Sequence, residues 1–440
     1  MHWFLLQLQN TASFPIVTNE RILFRFTFEV FNATVAVSKL RITLMTTELA
    51  ENIDWVGYVD WNVRDFHSFD TSRGATYNSY LIRDNKIAVI DSVKGLYASR
   101  LLQHLAEKTE LANIDYVVCN HAEPDHAGGL IHLMANLPNA VLLCNAKCRE
   151  TLAAYFDISN WKIQVVSPDD KISLGSRTLN FVNTPMVHWP ESMFTYIPEE
   201  QLLFSMDAFG QHLATSERFD DQYDLATVLA EAKSYYANIV TPYSKQVLRT
   251  LEVAAKIPIK MIAPSHGLIW RTNIPKIVEA YQDWAGGKYA PKVLILFDSM
   301  WDSTAQMAEA ILDGAVQESD NVDVQLMHVR RTALTRIAAE MLDAAAVALG
   351  SSTLNLQIMP QMASVTTYVR GLKFTSKTAI AFGSYGWAHA GSDQLDRWIE
   401  ETGWTRLSQP IDSKFRPTHD ILEKCRNAGR QLAQAALEKK

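Results

Sequence analysis

The sequence predicts an α/β protein of two modules: a mixed α/β module, then a doubly wound, five-stranded parallel sheet. Three observations predict it. Between residues 78 and 266, many short β-rich runs end on polar clusters. At residues 286–291, "GGKYAP" breaks the pattern as a linker would. Beyond it, apolar strand, polar loop and helix alternate, which is the pattern of a doubly wound sheet.

Residues 1–44 stand apart. They open "MHWFLLQLQNTASFPIV", with no Lys or Arg before Arg21 and no clear cleavage site, so a secretory signal is not expected. Residues 22–43 alternate loosely and favour strand. We expect 1–44 to be an extension or a mis-assigned start, without effect on cofactor content. A first module is expected over 45–289 and a second over 290–440.

In the first module, "SYLIR", "KIAVIDSV", "DYVVCNH", "AVLLC", "IQVVS", "LNFVNTP", "MFTYIP", "LLFSMD" and "IKMIAPSH" read as strands. Helices are expected over 98–108, 130–136 and most of 222–257. In the second, "KVLILFDSMWDSTAQMAEAILDGA" is a buried strand, a polar loop and a helix. "DVQLMHV", "AAAVALGSST", "TAIAFGSYGW" and "RLSQPI" supply the other strands, spaced for crossover helices.

Composition excludes several classes. Among 440 residues, 48% are hydrophobic and 20% charged, ordinary for a globular protein. A net charge of −7 argues against nucleic-acid binding, which needs a basic face. No apolar run is long enough to span a membrane. Four cysteines, Cys119, Cys144, Cys148 and Cys425, are too few and scattered for a disulfide framework. We read them as free thiols, which suits the cytoplasm.

The chemistry concentrates at strand ends. "CNHAEPDHAGG" places His121, Glu123, Asp125 and His126 within six positions. One histidine at a strand end usually means little. Four potential ligands crowded together would repel or go unsatisfied without a cation. Gly128 and Gly129 are expected to let the backbone turn tightly there. Three more candidates follow apolar strands: His188 in "FVNTPMVHWP", Asp207 in "LLFSMDAFG" and His266 in "MIAPSHG". His67, Tyr77 and Asp91 are weaker candidates, for orienting ligands or supplying protons, and ordinary hydrogen bonding in a turn is as good an account of each. His212 is expected to be a surface or packing histidine.

This spacing resembles the metallo-β-lactamase superfamily, whose first motif is HxHxDH. The departure is Glu123, where the pattern has a second histidine. A carboxylate adds charge and a hard oxygen donor, which favours iron over zinc. From about residue 52 to 440 the chain resembles the flavodiiron proteins, also called A-type flavoproteins, the rubredoxin:oxygen or nitric oxide oxidoreductase type. The elements occur in order: H-x-E-x-D-H, then 61 residues to His188, 18 to Asp207 and 58 to His266. "IDWVGYVDWNVRDFH" and "TYNSYLI" also look like the family's opening. The resemblance implies a metallo-β-lactamase-like αββα domain followed by a flavodoxin-like domain. It implies His121, Glu123 and His188 on one iron, Asp125, His126 and His266 on the other, and Asp207 bridging.

The second module carries a flavin signature. "FDSMWDSTAQMA" puts Ser299, Ser303 and Thr304 before a helix, whose first N–H groups favour a phosphate. It lacks the lysine of G-x4-G-K-[ST] and the pattern GxGxxG, so triphosphate and dinucleotide sites are not expected. A hydroxyl-rich loop suits the single phosphate of FMN. Met300 and Trp301 lie in the same loop, and Asp302 is expected to point outward. "GSSTLN" adds Ser351, Thr353 and Asn355, and "GSYGWAHAG" adds Ser384, Tyr385, Gly386 and Trp387, all at one sheet edge. Trp301, Tyr385 and Trp387 are expected as aromatic covers for a flat ring.

The resemblance then implies an oxidoreductase that delivers four electrons to O2, giving two waters, or two electrons to a pair of NO molecules, giving N2O. It implies FMN and two non-haem irons, a separate rubredoxin-like donor, and a head-to-tail homodimer, with a tetramer left open. The alternative is a zinc hydrolase carrying a flavodoxin-like binding module. Metal analysis separates the two.

Overall fold

Strand after strand is apolar on both faces, so the first module must sandwich its sheets between helices. The computed structural model describes residues 46–439, and the expectation for residues 1–44 lies outside them. One sheet runs, in spatial order, through Ile53–Trp55, Tyr80–Arg83, Ile87–Ile90, Ile114–Val118, Val141–Cys144 and Ile163–Val165. A second runs through Lys171–Ser173, Thr178–Asn183, Met193–Ile197, Leu202–Met206 and Met261–Pro264.

The cores show how these sheets stack. Tyr80, Ile82, Ile90, Val118 and Leu143 of the first sheet meet Phe181, Met193, Ile197 and Phe204 of the second. Leu81, Val89, Val117 and Leu142 face the other way, against Leu101, Leu105, Leu130 and Leu133 of helices Ala98–Lys108 and Leu130–Asn136. Phe194, Tyr196 and Leu203 face Val228, Ala232, Val247 and Ile277 of helices Leu225–Tyr235, Ser244–Ala254 and Ile274–Gly286. Helix, sheet, sheet, helix is the αββα order. Burying each such Leu, Ile, Val or Phe contributes about 1.5–3 kcal/mol.

The second module is a parallel sheet in the order Asp323–His328, Ala290–Asp298, Ala344–Ser352, Thr378–Tyr385. The fifth position differs from expectation. It is two short strands, Thr405–Arg406 and Ile411–Lys414, both parallel to Thr378–Tyr385. The break falls at "LSQP", where Pro410 has no N–H to give a ladder. Helices Ser303–Glu318 and His419–Glu438 cover one face, packing Met307, Ile311, Leu432 and Ala436 on Val293, Ile295, Ala348 and Ile380.

The expected linker is shorter than "GGKYAP". Helix Ile274–Gly286 includes the first glycine, and the strand begins at Ala290. Gly287 takes φ +72°, a left-handed helix cap that suits glycine. Across this junction, Lys233 pairs with Asp343 at 2.7 Å. Asn238 donates to the Thr335 carbonyl at 3.1 Å, and the Tyr368 hydroxyl donates to Asn238 at 2.6 Å. One apolar core continues from Phe194 and Tyr196 to Leu294, Leu296 and Leu349. Among the described residues, no helix is long and apolar enough to cross a membrane.

Candidate metal centre and flavin pocket

Sheet ends bring the candidate ligands together. His121, Glu123, Asp125 and His126 lie where strand Ile114–Val118 gives way to the turn Pro124–Ala127. Asp207 directly follows Leu202–Met206, and His266 lies two residues beyond the strand that pairs parallel with it. His188 comes from the turn between Thr178–Asn183 and Met193–Ile197.

Their donor atoms form two groups. His121 Nε2 and His188 Nε2 each lie 3.2 Å from Glu123 Oε2 and 3.2 Å from Asp207 Oδ2. His126 Nε2 is 3.0 Å, and His266 Nε2 3.4 Å, from Asp207 Oδ1. The same two nitrogens are 3.4 and 3.1 Å from Asp125 Oδ2. Asp207 thus offers one oxygen to each group. Donors about 2.0–2.2 Å from a shared metal stand about 3–3.5 Å from one another.

Proton bookkeeping says what belongs between them. His121 Nδ1 is 2.8 Å from Glu191 Oε1, and His266 Nδ1 is 2.6 Å from the Thr76 carbonyl. Those partners only accept, so a neutral ring spends its one N–H there. Nε2 then aims a lone pair at two carboxylate oxygens. Such an arrangement repels unless a cation intervenes. Asp207 Oδ2 and Asp125 Oδ1 are buried without a hydrogen-bond partner. Burial works against a charged His121, yet the facing carboxylates of Asp207, Glu123 and Glu191 hold it well above its ordinary range. Burial also opposes ionised Glu123 and Asp207, yet the facing histidines drive both below the usual carboxylate range. The cluster is built to hold positive charge.

Neighbouring groups brace it. Asp91 accepts from the Asn120 N–H at 2.7 Å and its side-chain amide at 3.0 Å, fixing the residue before His121. The Tyr235 hydroxyl donates to Asp207 Oδ1 at 2.8 Å. His67 is half exposed and sits 3.6 Å from Glu123. Tyr77 is buried 5.9 Å, ring to ring, from His266, and its hydroxyl has no partner. Burial, then Asp60 and Asp125, push that phenol far above its ordinary range. His212 is a packing histidine, not a surface one. It is buried against Phe66, Tyr235 and His266, and burial with the nearby His266 lowers it to about 3. The glycines are needed for a different reason than expected. Gly128 and Gly129 have ordinary helical φ of −61° and −74°. A Cβ on Gly128 would lie 2.3 Å from the Pro124 carbonyl, and one on Gly129 2.9 Å from that of Val93. Above the cluster is a cavity of about 230 Å³, lined by His67, Phe69, Tyr235, Ile239 and Tyr243 besides the ligand candidates.

At the carboxyl edge of the second sheet lies a larger cavity, about 630 Å³. Met300, Trp301, Ser303, Thr353, Asn355, Ser384, Tyr385, Gly386 and Trp387 line it, as the three loops led us to expect. Ser299, Thr304 and Ser351 lie behind the wall. The Thr304 hydroxyl is fully buried, 2.8 Å from Ser384 Oγ and 3.0 Å from Ser352 Oγ, and so ties the three loops together. Ser351 accepts from the Met359 N–H at 2.9 Å, and Ser299 from the Ala305 N–H at 3.3 Å. Asp302 points outward, as expected. Trp301 and Trp387 are 84% and 93% exposed on the cavity wall, a costly place for indole unless something covers it.

Both modules match known families. Residues 75–267 match the family described as ODP family beta lactamase, and residues 295–429 match flavodoxin. The anaerobic nitric oxide reductase flavorubredoxin of Escherichia coli O1:K1 is 39% identical over 89% of this chain and 82% of its own. The flavodiiron protein of Giardia intestinalis is 37% identical with a TM-score of 0.87, over 90% of this chain and 97% of its own. The chain belongs to the flavodiiron proteins. Rubredoxin oxygen:oxidoreductase of Desulfovibrio gigas, 36% identical, has the same TM-score of 0.87 over 90% of this chain and 99% of its own.

Besides Tyr235, two features of this flavodiiron chain escaped the sequence. Glu191, fully buried on His121, follows His188 in "HWPES", where an acid reads as a turn residue. Its signal is its place three residues after a ligand. Arg416 and Phe415 line the larger cavity from the loop after Ile411–Lys414. The split strand hid that loop's place on the carboxyl edge.

Proposed function

We propose that the chain reduces O2 to water, NO to N2O, or both, with electrons passed through FMN from a separate rubredoxin-like donor. The observation that carries this is the pair of four-donor groups sharing Asp207, with Glu123 standing where a zinc hydrolase would have imidazole. His121, Glu123, His188 and Asp207 would hold one iron, and Asp125, His126, His266 and Asp207 the other. Two irons and FMN would supply one-electron changes and open positions for a diatomic gas. Glu191 and the Thr76 carbonyl fix the tautomers of His121 and His266 and aim their lone pairs. Tyr235 fixes the rotation of Asp207. The 230 Å³ cavity, walled in part by Phe69 and Ile239, is large enough for a small gas.

The second cavity has the size of a cofactor site. Ser303 begins helix Ser303–Glu318, and Arg416 brings positive charge to the same cavity, which suits a phosphate. Trp301 and Trp387 would be covered by a flat ring and by a second subunit. The two cavities share no lining residue. A head-to-tail dimer, in which the flavin of one chain serves the irons of the other, would bring two such separate cavities together.

The direct test is anaerobic reduction followed by exposure to each gas. Consumption of O2 or NO with matching loss of electrons is expected, and inertness to both would refute the proposal. Glu123→His should shift the purified protein from iron toward zinc and abolish gas reduction. Retention of both irons with full turnover would show that the glutamate does not select the metal. Glu191→Ala should weaken metal binding about 10–100-fold, since it frees the His121 ring to rotate. Chelator competition measures this. Ser303→Ala with Arg416→Glu should release FMN while leaving the irons, and flavin absorbance after gel filtration reports it.

A further inference from the structure

Three tyrosines lead away from the proposed iron site. Tyr77 lies 5.9 Å, ring to ring, from His266. Tyr97 lies 5.4 Å from Tyr77. Tyr58 stacks on Tyr97 at 3.8 Å and 15°, and both are half-buried. The paired strands Tyr58–Asp60 and Ala75–Tyr77 set this up, because Tyr58 sits opposite Tyr77 in register. Packing alone explains aromatic neighbours. It does not explain their hydroxyls. The Tyr77 hydroxyl has no partner, whereas the Tyr97 hydroxyl donates to the Asp60 carboxylate. Asp60 is itself buried and held by the Asn62 and Val63 N–H groups, each at 3.0 Å.

We propose that Tyr77, Tyr97 and Tyr58 form a protective electron route from the interior to the surface. It rests on the O2-reducing function proposed above. When O2 arrives and fewer than four electrons are stored, an oxygen-derived oxidant is left at the metal site. One electron passes from Tyr97 through the Tyr77 ring to that oxidant. Tyr97 becomes a neutral phenoxyl radical as its proton moves to Asp60. An electron given up by a thiol or ascorbate at the surface then reaches the Tyr97 radical across the stacked Tyr58 ring, and Tyr97 takes its proton back from Asp60. Without a base at its hydroxyl, Tyr77 relays the electron and does not store the radical. The oxidant is thus quenched before it attacks His266 or its neighbours.

The test uses the holoprotein, partly reduced and mixed with O2, then freeze-quenched. Iron content and O2 uptake on the same sample report on the function; electron paramagnetic resonance and peptide mapping report on the route. A tyrosyl radical is expected in the wild type. Tyr97→Phe keeps the stacked ring and should lower its yield severalfold, with oxidised His266 and Tyr77 rising severalfold. Asp60→Asn keeps the acceptor for the turn but removes the base, and should act in the same direction. A flash-generated ruthenium oxidant tests the pair without relying on the irons, and Tyr97 should again be the trap. A radical yield indifferent to both substitutions in the flash experiment overturns the route, whatever the iron and O2 measurements show. O2 uptake with an unchanged map of oxidised residues overturns it as well.

Discussion

Asp207→Ala is expected to remove both metals at once, while FMN stays bound. No other ligand candidate touches both groups. Its Oδ2 faces His121 and His188, and its Oδ1 faces His126 and His266. Its loss leaves three donors to each metal and one fewer negative charge between them. Removing a group that merely orients a ligand weakens binding about 10–100-fold, so removing a shared ligand should exceed about 100-fold at each metal. His126→Ala should strip the Asp125 group first, because the His121 group keeps all its donors. Metal analysis after dialysis against a chelator distinguishes these outcomes, with flavin content as the internal control for folding. Two metals retained at wild-type affinity in Asp207→Ala would show that the bridge is not what holds them.

The candidate site was legible because its residues follow apolar strands. A run such as "LLFSM" must be buried, so the residue that ends it, Asp207, emerges at the sheet edge. Parallel pairing of that strand with "MIAP" then brings His266 alongside. No neighbouring residue in sequence is needed for that argument, and the ligand candidates are spread over more than 140 positions. Glu191 and Tyr235 were not legible, because each works through a ligand candidate fixed by a distant segment. Tyr235 lies inside a helix, where its spacing reads as core. Thr304 shows the opposite failure. A hydroxyl at a helix start reads as a phosphate donor, but its side chain turns inward to bind two loops that the sequence holds 48 and 80 residues away. Loop hydroxyls announce a crowded edge; which of them face a ligand depends on packing among the loops. The same holds for Gly128, where the sequence suggested a special φ and the structure shows close backbone contact.

Mixing two inactive variants is expected to restore about a quarter of normal activity if sites are shared between chains. One variant carries His188→Ala and His266→Ala, which removes one histidine from each group and should empty the metal site while leaving the flavin. The other carries Ser303→Ala and Arg416→Glu, which should empty the flavin cavity while leaving the metals. Each is checked alone for the cofactor it lacks. If chains exchange freely, half the dimers are mixed. In a mixed dimer, the intact metal site of one chain meets the intact flavin of the other, and the remaining pair lacks both. One working site of two, in half the dimers, gives about a quarter. The exposed Trp301 and Trp387 bear on the same point. They stand on the wall of the flavin cavity, where a second subunit would cover them, so Trp387→Ala should weaken the dimer and lower turnover together. Sedimentation at a series of concentrations measures the first effect. A mixture that stays inactive after subunit exchange has been demonstrated by mass would mean that each working site draws both cofactors from one chain. The two cavities, with no residue in common, would then have to communicate through the shared core that runs from Phe194 to Leu349.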